Sequence, residues 1–211
     1  MDPIVLLVFV LVYLGMVLGG LPGLALDRTG IALLGALLLV AFGKITPAGA
    51  WDAVDVPTIA LLFGLMVVSA QFRLGGFYTR ITRRLAEAEV SPERLLGLLI
   101  LVAGGLSALL ANDIVCLAMA PVLIEGCARR GLNPKPFLLG LACAANVGSA
   151  ATLIGNPQNM LIGQSLQLSF AGYLLDGGIP ALLGLGLVWV VLVRYGKGAW
   201  QLPTPLPELQ A

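Results

Sequence analysis

Two polar, helix-breaking stretches interrupt a chain that otherwise reads as membrane sequence. They are Ala-Asn-Asp at 111–113 and Asn-Val-Gly-Ser-Ala-Ala-Thr-Leu-Ile-Gly-Asn-Pro-Gln-Asn at 146–159. A backbone amide exposed to lipid costs several kcal/mol, so non-helical chain at membrane depth persists only where protein buries it or a wet cavity borders it. Two such breaks in one small chain point to discontinuous helices that meet around a solute site.

Composition supports the membrane reading. Of the 211 residues, 59% are hydrophobic and 11% charged, with a mean hydropathy of +0.99. A soluble domain carries about 25% charged residues, so this chain has too little polar material to cover a water-facing surface. The net charge is +1 and no basic tail is present, which leaves nucleic acid out as a partner. There is no histidine, so Ser-His-Asp and Cys-His catalysis are excluded, together with the commonest transition-metal ligand. With so few acids as well, an enzyme is not expected. Cys116, Cys127 and Cys143 lie in apolar segments without CxxC spacing, so neither a metal centre nor a disulfide framework is indicated. Cysteine is an ordinary small hydrophobe in such helices.

The chain divides into a membrane region, 1–200, and a polar, Pro-rich tail, 201–211. Apolar spans are expected at 4–20, 24–43, 56–72, 137–162 and 170–193. The first has no basic leader or A-x-A site before more membrane sequence, so it reads as a retained helix. Pro22 and Gly23 mark a turn, and Trp51 in the polar loop 44–55 suits an interfacial anchor. Over 76–90, Arg80, Arg83, Arg84 and Glu87 recur at helical spacing, with Phe77, Ile81, Leu85 and Ala88 on another face. That pattern predicts an amphipathic helix lying on the membrane surface.

Residues 92–126 are apolar but interrupted midway by Asn112-Asp113. Two full crossings need about 40 residues and a turn, and one crossing leaves roughly ten residues over. A re-entrant hairpin fits better, and charge agrees. With five crossings plus the hairpin, Arg28, Arg73, Arg80, Arg83, Arg84, Arg94, Arg129, Arg130, Lys135, Arg194 and Lys197 fall on one side, and Lys44 alone on the other. A single crossing would split them. The positive-inside rule then places the N-terminus outside the cell membrane and the C-terminus in the cytoplasm.

Leu110-Ala-Asn-Asp113, followed some thirty residues later by Asn146 through Asn159 with its Gly-Ser…Thr…Gly-Asn-Pro-Gln-Asn order, resembles the ion transporter superfamily. That group includes citrate transporter-like permeases, divalent-anion/sodium symporters and arsenite permeases. The resemblance runs from about residue 20 to 200. In the symporters a Ser-Asn-Thr triplet at the hairpin tip helps bind sodium and a substrate carboxylate. Asn112 matches that asparagine, Ala111 and Asp113 replace its neighbours, and Ser107 matches another sodium-site serine. Ala-Asn-Asp is closer to the arsenite permeases. The resemblance implies two inverted repeats, each with a hairpin and a broken helix. This chain holds one of each, so it reads as one half that pairs with a second half or with its own copy.

The function expected is ion-coupled permeation of a small anion or oxyanion, with Na⁺ or H⁺ as coupling ion and no cofactor or bound metal beyond it. An arsenite-type efflux permease or sodium/proton antiporter, and a non-transporting accessory subunit or fragment, are the alternatives. The expected solute and ion ligands are Ser107, Asn112, Asp113, Gly148, Ser149, Thr152, Asn156, Pro157 and Asn159. Three of these, Ser107, Asn112 and Asp113, are candidates for the coupling cation. Each has a plainer reading. Asn112 and Asp113 could N-cap a helix, Asn156-Pro157 could be a kink, and Gly148 and Ser149 could allow close helix packing.

Overall fold

The computed structural model describes residues 2–19 and 26–201, and these form helices joined by short turns, with one isolated backbone bridge between Leu132 and Gln201. The expected turn at Pro22-Gly23 and almost all of the tail lie outside the described residues. The chain divides into two compact units, 1–56 and 57–211.

In the first unit, α1 (Pro3–Leu18) and α2 (Arg28–Ala41) pack side by side. Their axes approach closely because Gly35 has no side chain: a Cβ there would sit 2.2 Å from Val12 Cγ2. Asp2 caps α1 by accepting from the Ile4 amide at 2.8 Å, and Lys44 donates to its other oxygen at 2.7 Å. The Lys44 ammonium, followed by that amide, holds the Asp2 carboxyl below the usual carboxylate range. A short helix, α3 (Pro47–Asp52), carries Trp51, which is exposed.

The second unit contains α4 (Val56–Leu74), α5 (Phe77–Ala86), α6 (Pro92–Leu109), α7 (Asn112–Arg129), α8 (Pro134–Ser149), α9 (Pro157–Leu166) and α10 (Phe170–Gly196). By length and apolarity, α4, α6 and α10 are each able to cross a membrane. Its core lies among α5, α6, α7, α8 and α10, around Tyr78, Leu96, Leu99, Ile100, Met119, Phe137 and Leu141. A small-residue row on α8, Gly140, Ala144 and Gly148, lets α6 approach. A Cβ on Gly140 would lie 2.6 Å from Leu96 Cδ1, and one on Gly148 would lie 2.3 Å from the Gly104 carbonyl oxygen. Close backbone approach of this kind is how membrane helices associate without a hydrophobic drive between them.

The segment 92–126 is therefore two helices with a two-residue turn at Leu110-Ala111, and the second runs on to Arg129. Arg130 turns the pair back on itself. Its guanidinium donates to the carbonyls of Ala88 (2.9 Å), Val90 (2.8 Å) and Ala86 (3.4 Å), which immediately precede α6. The end of α7 thus returns to the start of α6.

The amphipathic segment is shorter than its pattern, 77–86, and its buried stripe is Tyr78, Thr82 and Leu85. It packs on α7, where Gly126 makes room for Ala86: a Cβ on Gly126 would fall 2.4 Å from Ala86 Cβ. Phe77, Ile81 and Ala88 are only half-buried. One face of α5 is thus committed to protein, and that face is Tyr78, Thr82 and Leu85 rather than Phe77, Ile81, Leu85 and Ala88.

Candidate functional site

The first break is built by backbone geometry. Leu110 is extended (φ −128°, ψ 162°) and closes α6 by donating its N–H to the Leu106 carbonyl. Ala111 precedes α7 without any side-chain cap, and its N–H donates to Ser69 Oγ of α4 at 3.2 Å. Asn112 and Asp113 are consequently the first two helical residues of α7, not its cap. Neither side chain makes a hydrogen bond; Asn112 is half-buried and Asp113 exposed. Their reading as caps is excluded. A carboxylate in the first turn is nonetheless favoured by the helix dipole.

The second break satisfies itself. Asn156 Oδ1 caps α9 by accepting from the Asn159 amide at 2.8 Å, with Pro157 at the first helical position, where a missing N–H costs nothing. Asn156 Nδ2 donates to Ser149 Oγ at 3.3 Å, and Asn159 Nδ2 donates to the carbonyls of Thr152 (2.8 Å) and Ser149 (3.3 Å). Ser149 Oγ in turn donates to the Asn146 carbonyl. Gly155 passes so near that a Cβ would lie 2.0 Å from the Ser149 carbonyl oxygen. Buried non-helical backbone needs partners of this kind. A mere kink would not need them.

One bond joins the breaks. Thr152 Oγ1 donates to the Ala108 carbonyl, one of the four carbonyls that the end of α6 leaves without a helical partner. A cavity of about 110 Å³ then lies where Asn112 and Asp113 of the first break face Asn156 and Pro157 of the second, walled by Leu62, Leu65 and Met66 of α4 and by Met160. The N-termini of α7 and α9 both border it. Unsatisfied first-turn amides and the positive ends of two helix dipoles make such a place receptive to negative charge or to oxygen lone pairs.

The nine expected residues therefore separate into three groups. Asn112, Asp113, Asn156 and Pro157 line the cavity. Ser149, Thr152 and Asn159 are buried behind it and hold the second break in shape. Ser107 and Gly148 belong to the packed helices beneath. Gly148 is where α8 meets the backbone of Gly104. Ser107 is fully buried, and its hydroxyl has no hydrogen-bond partner, an arrangement that calls for an explanation in a well-satisfied interior. The three cysteines do not gather: Cys127 is buried and Cys143 exposed, with Cys116 between these extremes. No cluster of metal-ligating residues occurs among the described residues.

Sequence reasoning missed the α4 wall and Ser69. The signal was available as the lone serine of an apolar span, since small hydroxyl residues in membrane helices concentrate at interfaces. Arg130 was seen only as a charge to be sorted across the membrane; its three-carbonyl clamp has no pattern in the sequence.

The family model described as Citrate transporter matches residues 4–205. The chain is 39% identical over 173 residues to the silicon efflux transporter LSI3 of Oryza sativa subsp. japonica, a match covering 82% of this chain and 36% of that protein. It is 31% identical over 174 residues to the putative transporter arsB of Dictyostelium discoideum, covering 82% and 31%. It is 33% identical over 175 residues to the magnetosome protein MamN of Magnetospirillum gryphiswaldense, covering 80% and 40%. The chain thus spans about a third to two-fifths of the length of these relatives.

Proposed function

From a chain that belongs to the citrate transporter family, we propose one half of a secondary transporter that moves a small oxyanion or oxyacid through the cavity between the two breaks. Membrane location and a transport role follow from the family. The observation that carries the substrate class is the pair of helix N-termini, α7 and α9, bordering one cavity of about 110 Å³. A cavity of that size suits a solute of few heavy atoms. Asp113, at the cavity and free of internal hydrogen bonds, is the proposed ligand of the coupling cation, with Asn112 and the unpartnered Ser107 hydroxyl assisting. Outward transport of an oxyacid is favoured over uptake of a larger carboxylate by the relative named a silicon efflux transporter.

The proposed topology has α1, α2, α4, the broken α8–α9 and α10 crossing, with α6–α7 re-entrant from the cytoplasm. Charge alone does not separate re-entry from two full crossings, because both return the chain to the same side. Helix α10 supplies a ruler. Near the base of the pair, Trp189 Nε1 donates to the Glu93 carbonyl at 2.9 Å. At the second break, Gly177 sits against the carbonyls of Ala150 and Ala151. From Gly177 to its start at Phe170, α10 runs about 10 Å further. With the start of α10 taken as the far surface, a tip at the level of the break stops short of it by that distance, which supports re-entry.

The test is flux. Co-reconstituted with a second half, whether another copy or a separately encoded repeat, the chain is expected to carry silicate or arsenite across liposome membranes with saturation, read by elemental analysis. Liposomes that hold the assembly yet stay tight to both solutes would overturn the proposed substrate class.

A further inference from the structure

The exposed face of α5 is not used by the transport reading. It carries Arg80, Arg83 and Arg84, which line one groove with Gly76, Thr79 and Glu87. None of the three arginines makes an ion pair, although Glu87 lies one turn away from Arg83 and Arg84. Their neighbours behave differently: Arg129 pairs with Glu125, and Arg130 is spent on three carbonyls. Three free guanidinium groups in one groove make a site for anionic oxygens.

Position says which anion. Only two residues separate α5 from the end of α4, whose length and apolarity suit a membrane span. The last turns of α4 leave Phe72 and Leu74 exposed, Leu74 by 80%. An apolar strip therefore runs directly into a cationic groove, and with α4 crossing as proposed that junction falls where acyl chains give way to headgroups. Free phosphate would use only the groove; an anionic phospholipid uses both parts. We propose that the α5 groove binds the headgroup of an anionic phospholipid, with the acyl chains against Phe72 and Leu74. The opposite face of α5, Tyr78, Thr82 and Leu85, packs on α7, so a lipid held there braces the helix whose first turn borders the cavity.

Native mass spectrometry of the purified chain, equilibrated with equal phosphatidylglycerol and phosphatidylcholine, tests this. The wild type is expected to retain phosphatidylglycerol preferentially, and the preference should fall as salt is raised. At roughly fivefold per arginine near an anionic surface, the triple variant Arg80→Gln/Arg83→Gln/Arg84→Gln should lose on the order of a hundredfold in relative retention. The triple Arg→Lys variant keeps the charge and should keep most of the preference, which guards against a loss caused by misfolding. Equal retention of the two lipids by the wild type would overturn the proposal. So would undiminished preference in the glutamine variant, or displacement of phosphatidylglycerol by inorganic phosphate.

Discussion

Gly148→Ala is expected to destabilise the second unit by at least about 3 kcal/mol, the upper end of ordinary overpacking. The reason is what the new methyl group meets. A Cβ at Gly148 would lie 2.3 Å from the Gly104 carbonyl oxygen and 2.4 Å from its Cα. These are backbone atoms of the facing helix, which cannot rotate away as a side chain can. Helices α6 and α8 would have to separate, taking with them the Thr152–Ala108 bond that joins the two breaks. Gly105→Ala is the matched control, because a Cβ there meets nothing within 4 Å. That change should be neutral or stabilising by up to about 1 kcal/mol, through the lower chain entropy of alanine in a helix. Thermal unfolding in detergent, followed by tryptophan fluorescence, separates the two variants. Equal midpoints would mean that α6 and α8 do not approach at Gly148.

Asp113→Asn is expected to leave folding intact and to lower ion-coupled flux by roughly ten- to a hundredfold, the worth of a charge-assisted contact. Folding should not notice the change. The Asp113 side chain is exposed and makes no hydrogen bond, and α7 takes no cap from it. Flux should notice it, because a carboxylate beside two helix N-termini is the only acid bordering the cavity among the described residues. The measurement is gradient-driven uptake or efflux in liposomes holding both halves, with expression and melting of the variant compared alongside. Undiminished coupling would move the cation site away from Asp113 and into the second half.

The breaks were legible in the sequence because proline and asparagine act locally. Asn156 and Pro157 start α9 through a side-chain cap and a proline preset for the first helical position, and both effects operate within three residues. The first break falls at Leu110-Ala111, just ahead of the Asn112-Asp113 pair that marks it in the sequence, and its chemistry is not local. Asn112 and Asp113 have the composition of caps, whereas the Ala111 amide is satisfied instead by Ser69, 42 residues earlier. A tertiary partner replaced the local one, and composition cannot reveal which. The face of α5 was misjudged for a related reason. Tyr78 and Thr82 look amphipathic, yet both are buried on the side of α5 that packs on α7, with Thr82 Oγ1 donating to the Tyr78 carbonyl so that the threonine hydroxyl is satisfied. Gly148 carried two readings, room for a ligand and room for a helix; the α6 backbone at Gly104 occupies that room, and spacing alone does not distinguish the two.

The central proposition is that the two breaks meet in one cavity. In a background lacking Cys116, Cys127 and Cys143, the double variant Asn112→Cys/Asn156→Cys should be bridged by the shortest bifunctional thiosulfonate, in membranes and without solute, and a protease cut engineered between 130 and 135 should leave the fragments joined on a non-reducing gel. Both positions border the same cavity of about 110 Å³, so cross-linking should approach completion. The pair Asn112→Cys/Lys135→Cys serves as the negative control, since α8 separates Lys135 from the break by 14 residues, about 21 Å. Efficient bridging of the first pair alone is the expected result. Fragments that separate in both cases would show that the breaks do not share a site.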